Sequence, residues 1–118
     1  EISGIYDIAH GAGLAIVFPA WMKYVYKHDI DRFVQFATRV WNVEMDFECP
    51  ERTALEGIER LKNFFRQIGL PVSLSDANIA DDRLEEMADK RTDYGKETVG
   101  KFVELNREDV LNILKLAR

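Results

Sequence analysis

An all-α fold, an irregular bundle of about six helices, is what this sequence predicts. Apolar residues recur every three or four positions through most of the chain. No alternating run long enough for a strand stands out. Proline, glycine, aspartate and asparagine fall where helices begin and end. The 118 residues, 47% of them hydrophobic, suit a single helical domain over residues 1–118, because a core of that size holds itself together.

The first helix is expected from Glu1 to about Ile8, with Ile2, Ile5 and Tyr6 at helical spacing. Ala9-His10-Gly11 reads as a break and restart, since Gly11 and Gly13 loosen the backbone. From Ala12 to Tyr26 nearly every residue is apolar or aromatic, which describes a helix buried on most sides. Pro19 inside it predicts a bend. Asp29 is placed to cap a third helix through about Val40, whose core face is Ile30, Phe33, Val34, Ala37 and Trp41.

Pro50 suits the first position of a fourth helix, where its missing N–H is not needed, and Gly69 suits its end. The expected inner face is Leu55, Ile58, Leu61, Phe65 and Ile68. Leu70-Pro71 opens a loop, and Asp76 to Ile79 reads as a single turn. A fifth helix starts at Asp81 or Asp82 and runs to about Arg91 with Leu84, Met87 and Ala88 inward. Thr92 to Leu105 holds two glycines and no clear period. Asn106 and Asp109 have the spacing of a capping box for a last helix carrying Val110, Leu111, Ile113, Leu114 and Ala117. No internal repeat or low-complexity tract is present.

The net charge of −5, from 21 acidic and 16 basic side chains, argues against nucleic acid or an anionic membrane as partner. Cys49 is the only cysteine, which rules out an intrachain disulfide and a thiolate metal cluster and points to a cytoplasmic setting. The longest apolar run, Leu14 to Met22, falls short of the roughly 20 residues a bilayer span needs. No secretory signal is visible. The chain opens at Glu1 in what reads as the middle of a helix, without methionine, so further residues are expected upstream.

His10 is the leading candidate for chemistry, because imidazole readily ligates borderline metals or carries protons near neutral pH. Spacing alone favours a capping or core role over a ligand: no other histidine or cysteine stands three or four residues away. His28 reads as a solvated turn residue. Phe18, Trp21 and Tyr24 read as core or interdomain packing, and Cys49 lacks a nearby histidine to activate it. The cluster Asp81, Asp82, Glu85 and Glu86 reads as a solvated helix start.

The string from Glu1 through His10-Gly11-Ala12-Gly13-Leu14 to Tyr24 is similar to a segment of the iron-containing alcohol dehydrogenases in which a histidine-glycine pair opens a buried helix. The likeness continues through Gly57-Ile58-Glu59-Arg60-Leu61-Lys62-Asn63-Phe64-Phe65, Ile68-Gly69-Leu70-Pro71 and Leu105-Asn106-Arg107-Glu108-Asp109-Val110. The chain thus resembles the C-terminal helical domain of this family, in its butanol-dehydrogenase-like branch. The resemblance implies a two-domain enzyme interconverting primary alcohols and aldehydes by hydride transfer with NAD or NADP. The nucleotide would be held by an N-terminal domain not included here.

It also implies that His10 is one ligand of a catalytic divalent metal, iron(II) foremost and zinc or manganese as alternatives, the other ligands lying upstream of Glu1. No catalytic or nucleotide-binding residue carries over to these positions, because no glycine-rich loop follows a strand. The domain alone is expected to be inactive, to expose an apolar patch and to self-associate as a homo-oligomer. A glycerol-dehydrogenase-like or dehydroquinate-synthase-like enzyme is a narrower alternative within the same architecture. The alternative from another class is a self-contained helical interaction module in which His10 is structural and the acidic surface meets a basic partner.

Overall fold

A computed structural model describes residues 9–118, and the predicted first helix, on residues 1–8, lies outside them. The described residues form five α-helices: α1 His10–Val25, α2 Ile30–Val40, α3 Pro50–Gln67, α4 Leu84–Arg91 and α5 Arg107–Leu116. Short 3₁₀ turns, Tyr26–Asp29 and Asp81–Arg83, lead into α2 and α4. These are the remaining five of the six helices read from the sequence. The extended pairing among the described residues is one bridge, Val99 with Leu105, closed by backbone hydrogen bonds of 2.9 and 2.8 Å.

The core joins every helix. Ile16 of α1, Ile58 of α3, Leu74 of the following loop and Met87 of α4 are almost wholly removed from water, and Leu111, Ile113 and Leu114 of α5 close the cluster. α2 lies against α3 at unusually short range. A Cβ added to Gly57 would sit 2.6 Å from the Ala37 Cβ and 2.8 Å from its Cα, so the approach exists because α3 has no side chain there. This contact turns α3 on its axis relative to the expected inner face. Ala54, Gly57 and Ile58 are buried, Leu55, Leu61 and Phe65 are half-buried, and Ile68 is 56% exposed.

Pro50 begins α3 as expected, but the helix start is secured by a residue the sequence reading passed over. The Asp46 carboxylate accepts from the N–H groups of Glu48 and Cys49, both at 3.0 Å, while the Asp46 N–H donates to buried Thr53 Oγ1 at 2.9 Å. At the other end Gly69 adopts φ 85°, and Leu70 N–H reaches back to the Phe65 carbonyl at 2.9 Å. Asp29, expected to cap α2, makes no capping hydrogen bond and pairs with Arg32 at 3.2 Å instead.

α5 begins with the capping box foreseen in the sequence: Asp109 N–H donates to Asn106 Oδ1 at 2.9 Å and Asn106 N–H to Asp109 Oδ2 at 3.0 Å. The other Asp109 oxygen accepts from the Tyr24 hydroxyl of α1 at 2.7 Å, so one carboxylate both starts a helix and ties it to another. Asp109→Ala is expected to lower stability by about 1–2 kcal/mol, the loss of a cap plus a stranded hydroxyl. Chemical denaturation measures this, and Asn106→Ala should reproduce only the cap share.

α4 and α5 are further joined by the Arg107–Asp89 ion pair. At the start of α4, Arg83 of the preceding turn and then Lys90 hydrogen-bond Glu86 and hold its carboxyl at about 2, against an ordinary 4.5. A depressed carboxyl stabilises the fold above its unfolded value and loses that contribution as pH falls toward the folded one. The Glu86 contribution is therefore present above pH 4.5 and disappears toward pH 2. Glu86→Gln should flatten the acid-unfolding profile in that window, by a small amount because the pair is solvent-screened.

The segment from Thr92 to Leu105 is organised by side chains rather than by periodicity. Thr92 Oγ1 donates to the Ala88 carbonyl at 2.8 Å and accepts from Gly95 N–H at 3.2 Å. Phe102 then drops onto α1 and α2, with ring centroids 5.9 Å from Trp21, 5.9 Å from Phe33 and 5.2 Å from His28. Among the described residues no helix is long and apolar enough to cross a membrane.

Candidate functional site

α1 begins at His10, and no side chain caps it; the Gly13 N–H bonds back to the Ala9 carbonyl at 3.1 Å. The helix is not buried on most sides. Ala15, Ile16, Pro19, Ala20 and Met22 face the core, while Leu14 and Phe18 are 48% and 45% exposed. His10, Gly13, Leu14, Val17, Phe18 and Trp21 follow one another at helical spacing and form one wall of a cavity of about 450 Å³. Met87 and Arg91 of α4, the bridge residues Val99 and Leu105, and Val110, Ile113 and Leu114 of α5 form the rest.

These walls are apolar except for two side chains, His10 and Arg91. Both are exposed, and among the described residues neither has a side-chain hydrogen bond or ion pair. Beside His10, a Cβ on Gly11 would meet open space. An exposed imidazole with no partner among the described residues can give a lone pair to a metal without breaking any described contact. Among the described residues no three His, Cys, Asp or Glu side chains come together in a metal-binding group. A divalent ion held through imidazole and carboxylate takes about four or more donors, so these residues fit such a group as the source of one ligand.

The other sequence candidates are dispersed. His28 is an exposed turn residue whose ring meets Phe102 edge-on. Cys49 precedes α3 as a half-buried free thiol. Asp81 pairs with Arg118 at 3.1 Å and Glu86 with Arg83, so two of the four acidic residues of the cluster are engaged in surface ion pairs. Arg91 was missed by the sequence reading, because nothing in a run of charged residues at a helix end distinguishes the one that borders a cavity.

Comparison with known proteins places the fold. The chain is 45% identical over 114 residues to the probable NADH-dependent butanol dehydrogenase 1 of Bacillus subtilis, covering 97% of this chain and 29% of that protein. It is 37% identical over 116 residues to NADH-dependent butanol dehydrogenase A of Clostridium acetobutylicum, covering 98% of this chain and 30% of that one. The crystal structure of NADH-dependent butanol dehydrogenase A from Thermotoga maritima superposes with a TM-score of 0.86 at 44% identity, over 98% of this chain and 30% of that chain. The chain thus spans about three-tenths of the length of the curated relatives it matches. The sequence model of the Fe-containing alcohol dehydrogenase family, C-terminal, matches residues 1–118, and the chain belongs to that family as its C-terminal part.

Proposed function

We propose that this chain is the helical domain of a two-domain, metal-dependent alcohol dehydrogenase that interconverts primary alcohols and aldehydes with NAD or NADP, with His10 as one metal ligand. The observation that carries the reading is the position of His10. It is an exposed imidazole without a described partner, at the start of α1 and on the wall of an apolar cavity, in a chain 45% identical to a butanol dehydrogenase. Iron(II) is the first choice of metal from the family description, with zinc and manganese the alternatives for imidazole and carboxylate donors. When bound, the ion supplies Lewis-acid stabilisation of the substrate oxygen.

What this chain contributes is placement. α1 is fixed by its buried face and by the Tyr24–Asp109 hydrogen bond, so the imidazole at its start is carried on a rigid element. Leu14, Val17 and Phe18 give it an apolar wall on the cavity side. NAD or NADP would be held by the rest of the protein, as would the remaining metal ligands, and the domain by itself would be inactive. A cytoplasmic, homo-oligomeric enzyme without nucleic-acid or membrane partners completes the proposal. The test is metal analysis of the full gene product together with NADH- and NADPH-linked butanal reduction, before and after chelation. Stoichiometric metal, activity lost on chelation and activity regained with iron(II) are expected. A metal-free protein without nucleotide-linked turnover would overturn the reading in favour of a helical interaction module.

A further inference from the structure

We propose that the outer face of α2 is an interface between two copies of this chain, in which two α2 helices cross antiparallel about a twofold axis beside Gln35. This names a surface for the homo-oligomer of the reading above and rests on that part of it alone.

α2 turns Phe33 and Ala37 to the core and lies against α3. Its opposite side carries two rows at four-residue spacing, Asp31-Gln35-Arg39 and Arg32-Phe36-Val40, which line one open groove. Such rows are the ridges with which one helix seats in the groove of another. They stand uncovered among the described residues: five of the six side chains are exposed, Val40 at 60%, and Phe36 is half-buried. From Phe36 the apolar surface continues to Trp41 at 6.2 Å between ring centroids, and from Trp41 to half-exposed Phe64 at 5.8 Å. An apolar strip bordered by charge is the composition of a protein interface.

The order of the charges selects the occupant. The polar row is acidic at the start of α2 and basic two turns later, about 12 Å along the axis. Asp31 and Arg39 have no ion-pair or side-chain hydrogen-bond partner among the described residues, whereas Arg32 is neutralised by Asp29 at 3.2 Å. A twofold axis beside Gln35 sets each Asp31 against the other copy's Arg39, and the two Gln35 amides, donor and acceptor in one group, against each other. A parallel pair would bring like charges together. Asp29, Asp31, Arg32 and Arg39 border the groove, so two acidic and two basic side chains cancel here although the chain carries −5 overall. Two copies therefore meet on this face without the repulsion that the rest of the surface imposes. A strongly basic or acidic partner would find no net charge to recognise.

The experiment is a charge swap in the full gene product, read by sedimentation equilibrium. Arg39→Asp and Asp31→Arg should each weaken self-association by about tenfold or more, and the double variant should restore most of it. Both side chains are exposed and unpartnered among the described residues, so circular dichroism and the thermal midpoint should not move. Separately, Gln35→Cys should give a covalent dimer on mild oxidation, joined through the new thiol of each copy and mapped by mass spectrometry. Assembly that ignores both reversals, a double variant that stays dissociated, or oxidised Gln35→Cys protein without that link overturns the proposal. Metal content and butanal reduction, measured on the same samples, judge the enzyme reading separately. A metal-loaded, active protein whose assembly ignores the reversals loses the interface and keeps the enzyme, and a metal-free, inactive protein that obeys the swap does the reverse.

Discussion

Gly57→Ala is expected to destabilise the chain by about 2–3 kcal/mol, a large cost for a single added methyl group. The built Cβ would lie 2.6 Å from a side-chain carbon and 2.8 Å from a backbone carbon of Ala37. Neither is the tip of a flexible side chain, so relief requires α2 and α3 to separate. Separation would in turn open the buried row at Ala54 and Ile58. In an exposed helix interior the same change would add about 1 kcal/mol of helix propensity, so the sign of the effect reports the packing. Thermal unfolding should show a fall of roughly 10 °C. An unchanged or raised midpoint would mean that the two helices do not approach this closely.

His10→Ala should produce the opposite pattern, a large functional loss at almost no structural cost. The side chain is exposed and has no described hydrogen-bond partner, and substitutions at such positions usually change stability by less than about 0.5 kcal/mol. Metal affinity in the full gene product should nevertheless fall by well over the roughly 10–100-fold that loss of a supporting outer-shell contact brings. Dehydrogenase activity should fall with it. The paired readout is thermal unfolding of this chain and metal titration of the longer protein. A drop in stability without a change in metal content would make His10 a structural residue.

Where the sequence was legible, the signals were local. Asn106 and Asp109 act on each other across one helical turn, and Pro50 and Gly69 act on the backbone they belong to, so their spacing was enough. Where it misled, tertiary contacts had decided. Asp29 and Asp46 are both acidic residues ahead of a helix, but only Asp46 has Thr53 to hold its backbone in place. The face of α3 is set by the missing side chain of Gly57, a property of the α2 contact that the apolar period of α3 does not encode. Phe102 lies in a mixed segment with no clear period, and its role comes from three aromatic rings brought from elsewhere.

The candidate site was legible in a different way. His10 is singled out as the proposed ligand through likeness over a long string, because no second histidine or cysteine near it offers a local spacing to read. The apolar exposure of α1 was hidden for a related reason: Leu14 and Phe18 have the composition of core residues, and composition does not record whether the covering partner is in the same 118 residues.

The edge-on packing of Trp21 against Phe102, on the wall of the α1 cavity, gives the molecule a built-in optical gauge. Of the two tryptophans here, Trp41 sits between Phe36 and Phe64, away from that cavity. A Trp41→Phe form of this chain would therefore emit from one indole placed on the wall of that cavity. Its wavelength would follow the wetting of that wall, moving to the blue whenever an apolar surface displaces water, so that covering of the cavity could be timed in a stopped-flow cell without any attached dye.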